Sequence, residues 1–570
     1  MNSPHKQQKA IQHLEKGRQL FSAGDLINAE KSLKAALKAA PDHPEILFSL
    51  GILYIQTGRA KRAEQILRPC LKIAPESPDV HNNYGVAAML AGDVETGFKH
   101  IRQAAQAAPD NMDFQIDLGA ALVKMKRAED ALDVLADLYR KVPDNLNVVI
   151  NYAESLRKTG DLEKSKSLLE KARTQSPGNP SIRNNLGLTL EELGDFESAV
   201  ELFREAIRLN PDDPDYHGNL GGALRHLGRY DAAILSARQA LELAPDDPQW
   251  AMKLAVLLLM TEQFEEGWPL YKKRWETNAQ NGFYPLSAHR WSGEALGTQT
   301  LLIRGEQGPG DEIVFATCLP DMIEQHPDAD IILECHARLV PCFSRTFPEL
   351  TVIPNESYTQ KKFPPHDLEI GFGDLPGVFR NSIEDIENAR PRKLISEPGL
   401  REKWQAAFQA LGDGLKIGIA WRGGAINVAK KQRSLELEDF LPVLRVPGCH
   451  FINLQYGDTT DERARLQERH GITVHDWPEV DPLAELENQI AQIDSLDMVI
   501  QCSNTSAHIA AALEKPTWVA QAFSPYWLWF IDCDNAPWYR DVKQFRPRHP
   551  GDWEPVVNDM AANLECRLNN

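Results

Sequence analysis

The spacing of apolar and polar positions divides this chain near residue 299. Ahead of it, up to about residue 275, one pattern recurs every 34 positions, marked by Pro41, Pro75, Pro109, Pro143, Pro177, Pro211 and Pro245 in unbroken register. Gly24, Gly58, Gly92, Gly160, Gly194 and Gly228 keep the same period and predict the end of one helix in each unit. Gly51, Gly85, Gly119, Gly187 and Gly221 fall where two helices cross, and Ala29, Ala63, Gly97, Ala131, Ser165, Ala199 and Ala233 are small enough for the second helix to pack closely. Lys126 and Ala153 stand where the register calls for glycine, which predicts looser joints in the fourth and fifth units without a change of fold. Beyond 299 the texture becomes short apolar runs alternating with helical stretches. Residues 301–303, 331–334, 350–353 and 368–370 read as one series of strands, and 416–421, 451–454, 474, 498–500 and 517–519 as a second, closed by a helix over about 555–568. Strand, glycine turn and helix in that order open a parallel α/β domain.

The 34-residue period with this placement of small residues resembles the tetratricopeptide repeat, over about residues 8–275. The resemblance implies helix pairs stacked into a superhelix with a concave groove. Two residues before each crossing position lie Asn83, Asp117, Asn151, Asn185 and Asn219, again 34 apart, forming a ladder along one line of that groove. A carboxamide both donates and accepts, so it can hold an extended peptide without reading its sequence. The same ladder position occurs in the nucleocytoplasmic O-linked N-acetylglucosamine transferase, whose superhelix this half resembles, and the five residues are therefore expected to bind a protein acceptor. The alternative is that asparagine simply suits this position and is solvated. At about 0.5–1.5 kcal/mol per rung, against ~2–5 kcal/mol for ordering a peptide, the ladder alone gives weak affinity. Side-chain pockets or a folded acceptor would supply the rest.

At 570 residues the chain needs several cores. A net charge of −19 without any basic run argues against nucleic acid or an anionic membrane surface as partner. The opening MNSPHKQQKA lacks the apolar core of a secretory signal, and no apolar run is long enough to span a bilayer, so a cytoplasmic location without membrane insertion is expected. Cys70, Cys318, Cys335, Cys342, Cys449, Cys502, Cys533 and Cys566 show no C-x-x-C spacing and read as reduced, mostly buried thiols.

Candidate chemistry begins in LLIRGEQGPGDEIVFATCLP, residues 301–320. Its Gly305, Gly308 and Gly310 let a ligand approach the backbone, and Asp311 stands at the mouth of the next helix, either as a simple cap or as a reacting group. Two Rossmann-like halves with a cleft at the carboxyl ends of their strands describe the GT-B glycosyltransferase fold. The segments WSGEAL, LLIRGEQGPGDEIVFATCLP, KIGIAWRGG, SNTSAHIAAALEKPTWV and PWYRDVKQFRP resemble the bacterial tetratricopeptide-glycosyltransferase proteins. Their catalytic halves are similar to the ADP-heptose:lipopolysaccharide heptosyltransferases. The resemblance covers nearly the whole chain and implies an α-solenoid over 1–275, a joint over 276–298, an acceptor-side half over 299–400, and a nucleotide-sugar half with the terminal helix over 401–570. It carries the role of general base onto Asp311, flanked on the acceptor side by Gly308 and Gly310, with Glu306 as the alternative base.

Sugar transfer from a nucleotide donor needs a base for the acceptor hydroxyl, amide donors or positive charge for the departing phosphate, and a dry cleft. Ser503, Asn504, Thr505 and Ser506 follow the strand at 498–500 and open an alanine-rich helix with His508, an arrangement suited to an anion. The resembling enzymes carry Asp-Thr-Gly or Asp-Thr-Ser followed two residues later by His. Here His508 is kept, while Ser503 and Asn504 stand where Asp and Thr are usual, which bears on the identity of the donor. Arg422, directly after a strand, and Lys430, Lys431 and Arg433 on the loop beyond it are placed for a diphosphate, which a guanidinium grips by two oxygens. The two lysines suit a solvated loop equally well.

The family's late Pro-Asp-Trp-Arg-Trp element appears as Pro525-Tyr526-Trp527-Leu528-Trp529, without its charged pair, and reads as apolar packing. Trp268, Tyr271, Lys272, Lys273, Arg274 and Trp275 read as packing at the joint. Asp328-Ala329-Asp330 and Asp532-Cys533-Asp534 match the D-x-D metal pattern of another glycosyltransferase class, but neither follows a strand, so no metal is expected, and no cofactor beyond the nucleotide-sugar substrate. The expectation is a cytoplasmic, metal-independent enzyme moving a sugar onto Ser or Thr hydroxyls of a protein acceptor. Flagellin is a candidate acceptor, since bacterial members of this architecture are implicated in its glycosylation. Two alternatives stand beside it: a lipopolysaccharide heptosyltransferase, which would need a lipid-facing patch absent from the sequence, and a scaffold whose transferase half has decayed.

Overall fold

The computed structural model describes residues 4–276, 286–287, 289–355, 363–423, 433–531 and 533–569. It divides into two compact units, 1–193 and 194–570.

The first unit is a run of short helices, from Pro4–Ser22 and Leu26–Ala39 to Leu162–Gln175 and Pro180–Leu193. Proline sterics set where they stop. The residue ahead of each register proline is pushed out of the helical region, and it forms the C-cap of the second helix of its pair: Ala40 at φ −143°, Ala74 at −131°, Ala108 and Val142 at −136°, Ser176 at −134°. First helices end in a left-handed residue, Gly92 at φ 103° for example. Lys126 takes the same conformation at φ 58° despite its side chain, a cost of roughly 1–2 kcal/mol that its neighbours in the array override. At Gly85 the helices cross backbone against backbone, and a Cβ there would stand 2.8 Å from Gly97 O. Where Ala153 replaces the crossing glycine, the buried Ser165 Oγ donates to Ala153 O at 2.8 Å and lies 3.2 Å from Thr189 Oγ1. A hydrogen bond thus fastens the joint at which loosening was expected.

The second unit opens with five helices of the same kind, Phe196–Leu209, Pro214–His226, Tyr230–Leu243, Pro248–Met260 and Phe264–Tyr271. Two parallel sheets follow. The first holds β1 Thr300–Arg304, β2 Asp330–Cys335, β3 Thr351–Pro354 and β4 Leu368–Gly371 in the order β3-β2-β1-β4. The second holds β5 Leu415–Ala420, β6 Cys449–Asn453, β7 Val474–His475, β8 Met498–Cys502, β9 Thr517–Ala520 and β10 Val542–Phe545 in the order β10-β9-β8-β5-β6-β7. Both are ordered as doubly wound sheets, with the direction of winding reversing beside β1 and β5, the position at whose carboxyl ends sheets of this order hold their ligands. Ile417, Ile419, Ile500 and Trp518 of the second sheet share a core with Val556, Val557, Met560 and Leu564 of the terminal helix Trp553–Asn569.

The last helices of the array share an interior with the sheets. Trp268 Nε1 donates to Arg380 O at 2.8 Å and meets Trp527 edge-on at 5.7 Å. This shared packing explains why the compact division falls inside the repeats and not near residue 275. Among the described residues no helix is long and apolar enough to cross a membrane. No disulfide joins the cysteines among the described residues, and five of the eight are buried.

Candidate active site

The crevice side of the first sheet is fixed from below by charge. Arg304, at the end of β1, donates to Glu334 Oε2 at 3.0 Å and Glu369 Oε2 at 3.3 Å, with all three side chains buried. The chain then turns through Gln307, left-handed at φ 64°, into the helix Pro309–Phe315. Asp311 occupies its first turn and accepts from Gly308 N at 3.3 Å, so the capping role is realised. The same carboxylate faces the second sheet region. Burial raises its pKa, while the Gly308 N–H and the Tyr526 hydroxyl pull it down. Tyr526 OH also lies 3.4 Å from Gln307 Oε1, and Gln307 Nε2 donates to Tyr271 OH at 2.6 Å. Gly310 is where the two halves touch: a Cβ there would stand 3.3 Å from His508 Cδ2 and 3.4 Å from Thr505 Oγ1. Asp311 and the amino end of the helix Thr505–Ala512 are thereby brought together.

On that second side Asn504 is the helix cap. Its Oδ1 accepts from Ala507 N at 3.3 Å and its Nδ2 donates to Arg422 O at 3.3 Å. Ser506 is turned inward, its Oγ 2.7 Å from Gln501 Oε1 and 2.6 Å from Asn504 Oδ1. Ser503 O lies against Gly423, at the end of the segment after β5. His508 stacks on Trp529 with centroids 4.7 Å apart, its Nδ1 is 3.1 Å from Tyr539 OH, and burial pushes its pKa down to about 3. The imidazole is therefore neutral in the physiological range and offers hydrogen bonding rather than positive charge. The Arg422 guanidinium is paired with Glu462 and lies over Trp421. Arg433 lies over the ring of Tyr526 at 5.6 Å. Lys430, Lys431 and Asp532 lie outside the described residues.

Glu306 cannot act as the alternative base. It is fully buried, its Oε2 accepts from Arg274 Nε at 2.7 Å, and its Oε1 is shared by Arg274 and by Gly373 N at 3.0 Å. Arg274 in turn donates to Asp374 Oδ1 at 2.6 Å, and Trp275 Nε1 to Asp374 Oδ2 at 3.2 Å. This is an anchor between the array and the first sheet. Beside Asp311, the buried Glu312 accepts from His336 N at 2.7 Å, and burial pushes its carboxyl up to about 8.

The ladder residues are partly occupied within their own helices. Asn83 Nδ2 donates to Asp79 O and Asn185 Nδ2 to Ser181 O, each at 2.9 Å. Asp117 accepts from Asn82 Nδ2 at 2.6 Å, and burial raises its pKa. Asn151 and Asn219 are half-buried on the helices Leu146–Lys158 and Pro214–His226. Asp328 and Asp330 are exposed at the amino end of β2, the edge opposite Asp311. Among the described residues no group of three or more His, Cys, Asp or Glu is placed to hold a metal.

Tyr526, Tyr539 and Gln307 are the side chains that sequence reasoning left without a role. Tyr526 and Tyr539 both sit inside segments singled out for their resemblance, PYWLW and PWYRDVKQFRP, and a polar hydroxyl amid tryptophans was the available signal.

Models of the tetratricopeptide repeat match residues 20–84, 88–149, 144–212, 184–248 and 227–272. The chain is 30% identical over 322 residues to Protein FlbA of Caulobacter vibrioides, an alignment covering 54% of this chain and 54% of that protein. It thus spans about half the length of the curated relative it matches. Among solved structures, a tetratricopeptide repeat protein from Parabacteroides merdae is 14% identical with a TM-score of 0.38, over 44% of this chain and 99% of its own. Pseudomonas aeruginosa pilF is 18% identical with a TM-score of 0.30, over 37% of this chain and 96% of its own. Between residues 20 and 272 the chain is built of tetratricopeptide repeats.

Proposed function

We propose that this chain is a metal-independent glycosyltransferase of GT-B type that moves a sugar from a nucleotide-sugar to Ser or Thr hydroxyls of a protein acceptor held by the repeats, in the cytoplasm. The observation that carries the reading is the meeting of Asp311, at the mouth of the helix after β1, with the amino end of the helix after β8, at the crevice edge of two doubly wound sheets. In this reaction the acceptor oxygen attacks the anomeric carbon, its proton passes to Asp311, and the bond to the donor phosphate breaks. The departing charge falls to the amino end of Thr505–Ala512 and to Arg433. Burial raises the Asp311 pKa toward working pH, which suits a base. Transfer should accordingly decline as pH falls through a value above the ordinary carboxylate range. Because the Tyr526 hydroxyl rests on Asp311, the acceptor hydroxyl has to displace it. Flagellin is a candidate acceptor by analogy with bacterial members of this architecture.

A second reading is a binding scaffold without catalysis. It is favoured by the engagement of the reacting groups: Asp311 holds Gly308 N and Tyr526, Arg422 is neutralised by Glu462, and His508 is uncharged. Incubation of the chain with labelled nucleotide-sugars and cell lysate separates the two. Asp311→Asn is expected to lower transfer ~100-fold or more with an unchanged melting temperature. Undiminished labelling by that variant removes the proposed base. Intact partner capture with no nucleotide-sugar binding by calorimetry establishes the scaffold.

A further inference from the structure

The two carboxyl groups in the first turn of the helix Pro309–Phe315 part company: Asp311 faces the second sheet region, and Glu312, 0% exposed, turns toward the carboxyl end of β2. Glu312 Oε2 accepts from His336 N, the first N–H beyond β2, at 2.7 Å. Oε1 lies against the turn after β1, where a Cβ on Gly305 would stand 3.1 Å from it and 2.7 Å from Glu334 O. Turn and strand end thus meet around this carboxyl, and glycine at 305 leaves it the room. Beyond His336, whose Nδ1 accepts from Arg338 N at 3.3 Å, the Arg338 guanidinium donates to Pro482 O between β7 and β8. Among the described residues no ion pair is made to Glu312. Of the titratable groups on the elements packed around it, Glu306 and Asp374 are bound to Arg274, Cys318 and Cys335 are buried thiols, and burial keeps His336 and His508 uncharged near neutral pH. Burial accordingly pushes the Glu312 carboxyl up to about 8. An apolar side chain would fill the position at less cost, so the hydrogen bond to His336 N is what the carboxyl adds.

We propose that Glu312 is a positioning residue of the transfer reaction: its carboxyl group clasps the turn after β1 to the end of β2 and so fixes the turn that presents Asp311. This rests on the transferase reading above. Asp311 and Glu312 are consecutive in one turn of helix, so a shift of the inner group carries the outer one with it, and a base displaced by about 1 Å can lose ~100-fold in rate. Ionisation of Glu312 places an unpaired anion in the interior beside Asp311 and loosens the clasp. Glutamine reproduces the clasp, with the same shape, an oxygen for His336 N and no charge at any pH.

Melting of the full chain followed by tryptophan fluorescence across this pH range tests the clasp without any substrate. A carboxyl whose folded-state value stands above its ordinary 4.5 stabilises fully only below 4.5 and loses that contribution as pH rises to about 8. Wild type should therefore melt progressively below Glu312→Gln over that window, by several degrees, and keep a constant gap beyond it. With labelled UDP-, GDP- and ADP-sugars and cell lysate, wild-type transfer should fall above about pH 8, and Glu312→Gln should keep the wild-type rate near neutrality and lose that alkaline fall. Glu312→Leu should lower kcat about tenfold or more at unchanged donor KM. A melting gap that does not change with pH overturns the inference, as does Glu312→Gln transferring no better than Glu312→Leu. If label is transferred in either of those cases, the proposed function stands without the positioning role. If wild type transfers no label while the gap follows pH, the proposed function falls and the positioning role with it, leaving the clasp as a structural bond.

Discussion

The repeat unit 1–193 and the sheet region respond to departures from pattern in opposite ways. Within the repeats a misfit is absorbed where it occurs. Lys126 adopts the glycine conformation at φ 58°, and Ala153 gains a hydrogen bond from Ser165. Each repeat contacts only its neighbours, so stability is close to a sum of local terms. The sheet region has no fixed sequence period to distribute its buried charges. Arg274, Glu306 and Asp374 are 3%, 0% and 6% exposed, and the one guanidinium is the counter-charge that makes burial of both carboxylates tolerable. Periodic regions tolerate substitution, and single-copy buried charge does not.

The largest effect expected from this contrast belongs to Arg274→Met, which strands two carboxylates in the interior and should cost about 3–5 kcal/mol. All 12 tryptophans lie at residue 250 or beyond, so tryptophan fluorescence reports the second unit alone during urea unfolding. Far-UV circular dichroism, dominated by the helices, reports the repeats as well. Loss confined to the fluorescence transition supports the contrast, and an equal fall of both breaks it. Gly85→Ala comes next, since its Cβ would stand 2.8 Å from Gly97 O and 2.9 Å from Ile101 N. Overpacking of this kind costs about 1–3 kcal/mol, and here the circular dichroism transition should fall while fluorescence holds. The smallest is Lys126→Gly, a gain of up to about 1 kcal/mol from relief of the left-handed conformation, reduced by the freedom glycine adds to the unfolded chain. Destabilisation by that change would mean that the lysine side chain contributes more than its backbone costs.

What could be read from the sequence follows the same division. The 34-residue period was plain because proline, glycine and small residues act within one repeat, and most strands of both sheets were visible as apolar runs; the edge strand β10, Val542–Phe545, was missed because the Lys and Gln between its Val and Phe leave no such run. Asp311 was placed correctly at the mouth of its helix. Its surroundings were not legible, because Tyr526 reaches the turn before it from 219 positions beyond Gln307. Reading Pro525 to Trp529 as apolar packing holds for Trp527, Leu528 and Trp529, each 1% exposed, and misses the hydroxyl of Tyr526 beside them. Arg422 stands where its strand ends, as expected, yet nothing local announced that Glu462 would claim its guanidinium. Glu306 looked like a second candidate base until Arg274 and Asp374 were seen around it.

The interior shared by Trp268, Arg274 and the sheets has a consequence for recombination. By sequence these residues finish the last repeat, but by contact they belong to the domain that follows. A chimera joined near residue 275 would leave Glu306 and Asp374 without their counter-ion and strip Trp527 of its aromatic cover. Joining after Leu193 keeps the five helices from Phe196 to Tyr271 with the sheets they stabilise. Contact thus draws the boundary after Leu193, and the helices from Phe196 to Tyr271 travel with the domain they brace.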